Sequence, residues 1–218
     1  MSLIIVPYRD SGNGVRKHHL SVFLDAMSDF EVPILVVEQS QDGRKFNRGA
    51  LLNIGVRESK ESSLILHDVD LLPDPSLYDL YRAPAQPTCA EHLGKLWTTK
   101  YTFPEFFGGV VKVPREDMLR ANGFPNQCWG WGGEDDCLRE RLLRTGTRIL
   151  LPTSDKPEGL YVEQPHDHQN VQGLRNDRRW EDKALYSHDL SDGISTLRYT
   201  VQSKQSQGLS THMLVELQ

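Results

Sequence analysis

The chain reads as an α/β domain with a mostly parallel central sheet covered by helices on both faces. Two observations predict this class. Short β-branched apolar runs alternate with helix-periodic segments through the first third of the chain, in the order strand, helix, strand, helix, strand. The chain of 218 residues, 38% hydrophobic and 25% charged, is also large enough to bury a sizeable core as one domain.

Each element has its own signal. "LIIVPY" (Leu3–Tyr8) is a short apolar run ended by a proline, and "RDSGNG" is a polar, glycine-rich loop. From Val15 to Phe30, apolar residues recur at Leu20, Phe23, Leu24 and Met27, which is helical spacing. "VPILVVEQ" (Val32–Gln39) is a β-branched strand, "FNRGALLNIGVRES" a helix after a basic turn, and "SLILHDVDLLPDP" a buried strand emerging into acids and prolines. Pro84 to Pro104 is loop-rich. "FFGGVVKVP" is then a strand, and "REDMLRANG" a short helix closed by Gly123. "EDDCLRERLLRTG" is a helix with acids in its first turn and Gly146 as its stop, followed by the strand "RILLP". The tail from Lys183 is less regular, with "GISTLRYTVQS" its one clear strand.

The net charge of -5 gives no global attraction to nucleic acid or an anionic membrane, so an anionic substrate needs local neutralisation by basic groups or a metal. No run is long and apolar enough for a signal peptide or a membrane span. As written the chain reads as cytoplasmic, and a trimmed domain from the Golgi lumen would look the same. Three cysteines without a CxxC spacing indicate neither a disulfide framework nor a zinc site.

Sheets of this kind bind ligands outside the carboxyl ends of their strands, and several chemical groups collect there. Asp68 and Asp70 flank Val69 where "LILH" leaves the sheet, and strand alternation would put both carboxylates on one side. Hard oxygen ligands there suit Mg²⁺ or Mn²⁺ and a diphosphate, although acids also commonly begin loops. His166 and His168 would share one side of an extended segment and could converge on an ion, the alternative being a solvated polar loop. Combined with the upstream aspartates they suit Mn²⁺ better than Ca²⁺. Arg9 and Arg48 each follow a strand and offer bidentate forks for phosphate. Phe46 is either a base-stacking face or core.

"QCWGWGGEDD" is the most unusual stretch. Gly130, Gly132 and Gly133 would let the backbone pivot about Trp129 and Trp131, and an indole face is a platform for a sugar ring. Glu134, Asp135 and Asp136 open a helix, where the dipole favours ionised carboxylates. Capping alone explains the acids but not the tryptophans and glycines ahead of them. A carboxylate held beside a hydrophobic lid can act as a general base towards a hydroxyl.

The elements "VPYRD", "FNRGALLNIG", "HDVDLLP", "FFGGV", "NGFPNQCWGWGGEDD" and "HDH", in this order, resemble the β-1,4-galactosyltransferase family of inverting, GT-A-type glycosyltransferases. The HxH element and the later "GISTLRYTV" resemble its xylosylprotein-directed branch. The resemblance implies a single GT-A-like, Rossmann-like domain over residues 1–218, with a nucleotide-sugar half at about 1–75 and an acceptor and flap half at about 76–218. It implies a UDP-sugar donor, a carbohydrate acceptor and Mn²⁺ as cofactor. Pro7, Tyr8, Arg9, Phe46, Arg48, Asp68, Val69 and Trp131 would contact the donor. Asp70, His166 and His168 would bind Mn²⁺. Trp131, Gly132, Glu134 and Asp135 would meet the acceptor, with Asp135 as the catalytic base beside Glu134.

Tyr8 stands where the family usually has Phe, and Gly133 where the xylose-directed branch has Arg. "HLGKLWTTKYTF" replaces that branch's tyrosine-rich segment. Phe106 ahead of the glycine pair leans towards galactose over N-acetylgalactosamine. The activity expected is galactose transfer from UDP-galactose to a sugar hydroxyl. UDP-N-acetylgalactosamine is the rival donor. A metal-dependent phosphoesterase is the rival class, and leaves the tryptophan–glycine stretch unexplained.

Overall fold

The computed structural model describes residues 1–10, 12–96, 106–152, 159–165 and 175–218. The first parallel unit comprises β1 (Ser2–Tyr8), α1 (Val15–Met27), β2 (Ile34–Gln39), α2 (Arg48–Glu58) and β3 (Ser63–His67). Short pieces follow: β4 (Leu71–Pro73), α3 (Tyr78–Arg82) and β5 (Cys89–Glu91). The second half holds β6 (Val110–Pro114), α4 (Arg115–Arg120), α5 (Glu134–Arg144), β7 (Arg148–Leu150) and β8 (Tyr161–Glu163). It closes with α6 (Arg179–Tyr186), β9 (Tyr199–Gln207) and β10 (Ser210–Leu217).

Among the described residues one eight-stranded sheet runs β7-β5-β6-β3-β1-β2-β10-β9, and β4 pairs β8 in a separate two-stranded ribbon. The centre is parallel: β1 lies between β2 and β3, and β10 runs parallel to β2. β6 is antiparallel to β3, and β9 to β10. Pro7 does not end β1, which stays in register through Pro7↔Val37 and Tyr8↔Glu38.

The two faces carry separate cores, as successive side chains on a strand point to opposite sides. Ile4, Val6, Val36 and Ile65 pack with Leu20, Phe23 and Met27 of α1. Leu3, Ile5, Leu35 and Leu66 pack with Leu51 and Ile54 of α2 and Leu138 and Leu142 of α5. Gly55 is required in α2 because a Cβ there would lie 2.2 Å from Ile5 Cγ2. Helices therefore cover both faces and leave the carboxyl ends of the parallel strands at one rim.

The tail departs from the sequence expectation. Strand structure begins at Tyr199, while Ile194 and Leu197 plug the α2-face core instead of extending a strand from Gly193. "STHMLVEL" is a strand that the sequence reading missed, with Met213, Val215 and Leu217 buried on one side. α6 was also missed. It buries only Asp182 among its eight residues, and its large apolar side chains Trp180 and Leu185 face solvent.

Candidate active site

Three loops meet at the rim. The turn after β2 delivers Phe46 and Arg48, and Asn47 caps α2 by accepting from Ala50 N. The exit of β3 delivers Asp68 to Asp70. The glycine turn before α5 delivers Trp131 to Asp135. Arg48 joins all three: its Nε donates to Asp68 Oδ1 at 2.7 Å and its Nη1 to Asp135 Oδ1 at 2.6 Å, with Glu134 Oε1 at 3.8 Å.

The strand periodicity expected through the aspartates stops at His67. Leu71 N donates to Asp68 O, closing a turn, so the two carboxylates take different partners. Asp68 goes to Arg48, and Asp70 Oδ2 pairs with Arg16 Nη1 at 2.9 Å. Val69 is buried in the α1-face core, and its carbonyl accepts from Gln164 Nε2 at 3.1 Å.

The acids opening α5 divide by role. Glu134 is buried and its Oε2 accepts from Gly132 N at 3.1 Å, Asp135 faces Arg48, and Asp136 turns away to Lys183 of α6. Burial pushes the Asp135 carboxyl well above the usual carboxylate range; Arg48 opposes this, while Glu134 and Asp68 add to it. Burial also raises Glu134 and Asp68, again against the pull of Arg48. One guanidinium thus serves three carboxylates, and the group takes up protons more readily than free acids do.

Gly108 lets this arrangement close, since a Cβ on it would lie 2.9 Å from both Asp135 Oδ2 and the Phe106 ring. Gly130, Gly132 and Gly133 all have left-handed backbone, at φ 89°, 108° and 96°. They turn the chain so that Trp131 stands 56% exposed just ahead of the buried Glu134. Arg175 lies over the Trp131 ring, and Asn176 N donates to Trp131 O. Trp129, by contrast, is half-buried against the α2-face core, with Arg44 over its ring.

On the β1 side, Pro7 and Tyr8 are buried within the strand, and the Tyr8 ring meets His212 edge-on. Arg9 Nη1 donates to Arg44 O, and its guanidinium stacks over Phe46 at 5.6 Å. Phe46 also packs against the core, as the core reading of it expects. Arg16 is a site residue that sequence reasoning passed over. Its signal was its place in the first turn of the helix after the β1 loop.

Of the candidate metal ligands, Asp70 lies at this rim, and His166 and His168 lie outside the described residues. No cluster of three ligands occurs among the described residues. Asp70 Oδ2 is paired with Arg16, so a cation at this carboxylate would have to share or displace that partner, and Gln164 N donates to Asp70 O at 2.7 Å. That bond fixes the chain two residues short of His166 against the Asp70 turn. A carboxylate with two imidazoles is a donor set suited to Mn²⁺. The free cysteines Cys89, Cys128 and Cys137 are all buried, and no helix among the described residues is long and apolar enough to cross a membrane.

Two family models match, the N-terminal region of glycosyl transferase group 7 over residues 1–83 and the N-terminal domain of galactosyltransferase over residues 91–167. β-1,4-galactosyltransferase 3 of Cricetulus griseus is 32% identical over 98% of this chain and 55% of its own length. The chain therefore spans about half the length of the curated relatives it matches. The catalytic domain of Drosophila β-1,4-galactosyltransferase 7, crystallised with xylobiose, superposes with a TM-score of 0.84 at 26% identity, covering 100% of this chain and 94% of that one. A mutant of the same enzyme in complex with manganese, UDP-Gal and xylobiose gives 0.83 at 24% identity, with the same coverage. With relatives this similar along nearly its whole length, and a rim that gathers the strand-exit aspartates, the arginine turn and the tryptophan–glycine acids, the chain belongs to the β-1,4-galactosyltransferase family of glycosyltransferases.

Proposed function

We propose that this chain is a Mn²⁺-dependent, inverting transferase that moves galactose from UDP-galactose to a hydroxyl of an acceptor sugar. The observation that carries the reading is the convergence on Arg48, which holds one carboxylate from the β3 exit and one from the start of α5. The donor side consists of Pro7, Tyr8, Arg9, Phe46, Arg48, Asp68 and the main chain of Val69. Trp131 covers both substrates, and Gly132, Glu134 and Asp135 meet the acceptor. In this division of labour, residues up to about 75 hold the nucleotide-sugar and the remainder supplies flap and acceptor site.

The acceptor oxygen attacks the anomeric carbon as the bond from that carbon to the diphosphate oxygen breaks. The electron pair leaves with UDP, and Asp135 takes the hydroxyl proton. A base with a raised pKa holds that proton better than an ordinary carboxylate would. Arg48 keeps Asp135 and Asp68 in fixed relation, and Trp131 excludes water from the reacting face. Asp70, His166 and His168 would hold Mn²⁺, which when bound supplies positive charge to the departing diphosphate. The Drosophila enzyme's complex with manganese, UDP-Gal and xylobiose supports this reading. The size of Phe106 beside Gly108 favours galactose over N-acetylgalactosamine as the sugar transferred.

The test is transfer from UDP-galactose with Mn²⁺, with and without chelator, to a β-xyloside and a β-N-acetylglucosaminide, with UDP-N-acetylgalactosamine as rival donor. Chelator-sensitive galactose transfer is expected, and the preferred acceptor assigns the branch. Phosphate release that needs no sugar acceptor would replace the reading with a hydrolytic one.

A further inference from the structure

Gln164 is 5% exposed, just past the end of β8, and is itself not among the residues assigned to substrate or cation. Its hydrogen bonds are nevertheless concentrated on the Asp70 turn. Its backbone N donates to Asp70 O at 2.7 Å, and its Nε2 donates to Val69 O at 3.1 Å and to His19 O of α1, also at 3.1 Å. His19, 2% exposed, returns the contact: its Nε2 donates to Pro165 O at 3.0 Å, since a carbonyl can only accept. Two buried side chains from α1 and β8 thus lock the aspartate turn to Pro165, the residue before His166.

A second buried chain braces the same junction from its other end. Tyr161 of β8 lies 2.9 Å from Tyr81, whose hydroxyl meets His67 Nε2 at 2.7 Å, while His67 Nδ1 reaches Asp68 O at 2.8 Å. Burial lowers the His67 pKa to about 4, so the ring is neutral; Nδ1–H donates to the carbonyl, and Nε2 accepts from Tyr81. Packing alone would not require so many directed bonds at one turn.

We propose that Gln164, backed by His19, is a positioning residue for the divalent cation. It sets the Asp70 turn against the chain entering His166 and thereby sets how tightly the cation is held. The inference rests on the metal-dependent reading above. Groups behind a metal's direct ligands typically change affinity by about 10- to 100-fold when removed.

The experiment titrates Mn²⁺ into the full chain with UDP present, following free Mn²⁺ by electron paramagnetic resonance. Wild type is compared with Gln164→Met, which keeps volume but loses the side-chain donors, and with His19→Phe and His19→Gln. The expected result is Mn²⁺ binding at least tenfold weaker in Gln164→Met and His19→Phe, with partial recovery in His19→Gln, which retains an N–H. UDP binding in chelator stays unchanged, and kcat of the variants returns towards wild type at high Mn²⁺. Should Gln164→Met fail to fold, the two His19 variants carry the comparison. Mn²⁺ affinity unchanged in folded variants, or lost activity that excess Mn²⁺ does not restore, would overturn the proposal alone. Wild type that binds no Mn²⁺ would overturn it together with the metal-dependent reading.

Discussion

Arg48 is the residue on which the site turns, because its one positive charge is shared among Asp68, Glu134 and Asp135. Asp135 has a raised folded pKa, so it binds a proton more tightly folded than unfolded. Its contribution to stability is full below the unfolded value and is lost as pH rises through the folded one. Asp135→Asn should therefore leave the melting temperature at neutral pH unchanged or higher, keep UDP binding, and lower turnover by about 10²- to 10⁴-fold. Near-full activity in this variant would remove Asp135 as the base. The same shift places the acid limb of the kcat/KM profile above the ordinary carboxylate range, and an acid limb at ordinary carboxylate values would contradict it. These residues were legible in the sequence because each sits in a short, unusual motif at a strand or helix end. Arg16 was not, since an arginine opening a helix resembles any solvated one until its partner Asp70 is placed.

At the level of elements, α5 shows how a helix is set by its flanks. Gly133 precedes it and Gly146 follows it, both in left-handed backbone, but their surroundings differ. A Cβ at Gly146 meets nothing within 4 Å, whereas one at Gly133 would lie 3.0 Å from Arg179 O. Gly146→Ala should cost about 1–2 kcal/mol of stability and spare activity. Gly133→Ala should lose stability and also displace Glu134 and Asp135, lowering kcat; thermal melts with matched turnover assays separate the two. Both glycines were readable as punctuation, as were the buried parallel strands with their β-branched runs. β10 and α6 were not: β10 carries His212 and Thr211 among its apolar residues, and α6 turns Trp180 and Leu185 to solvent while burying Asp182. What defines them is the neighbour they dock against, which a single sequence does not display.

For the whole molecule, the sheet depends on joining distant parts of the chain. β10 supplies Met213, fully buried in the α2-face core, and separates β2 from the exposed edge strand β9. Met213→Ala should destabilise by about 2–5 kcal/mol, measured by denaturant unfolding, while the KM for UDP-galactose in the surviving folded fraction stays near wild type. A loss under 1 kcal/mol would mean that the hairpin is an accessory to the fold. Two-face burial was foreseeable from the alternation of strands and helices, but the order of strands across the sheet was not, because pairing between remote segments leaves no local trace.

The position of β10 also bears on how the protein is made. β2 leaves the ribosome well before the strand that pairs with its outer edge, residues 210–217. Until then the nascent chain presents an open row of backbone donors and acceptors beside an uncovered apolar surface. The sheet can close only once β10 has been made, so chaperone binding during translation should concentrate on β2 and lapse when β10 has emerged.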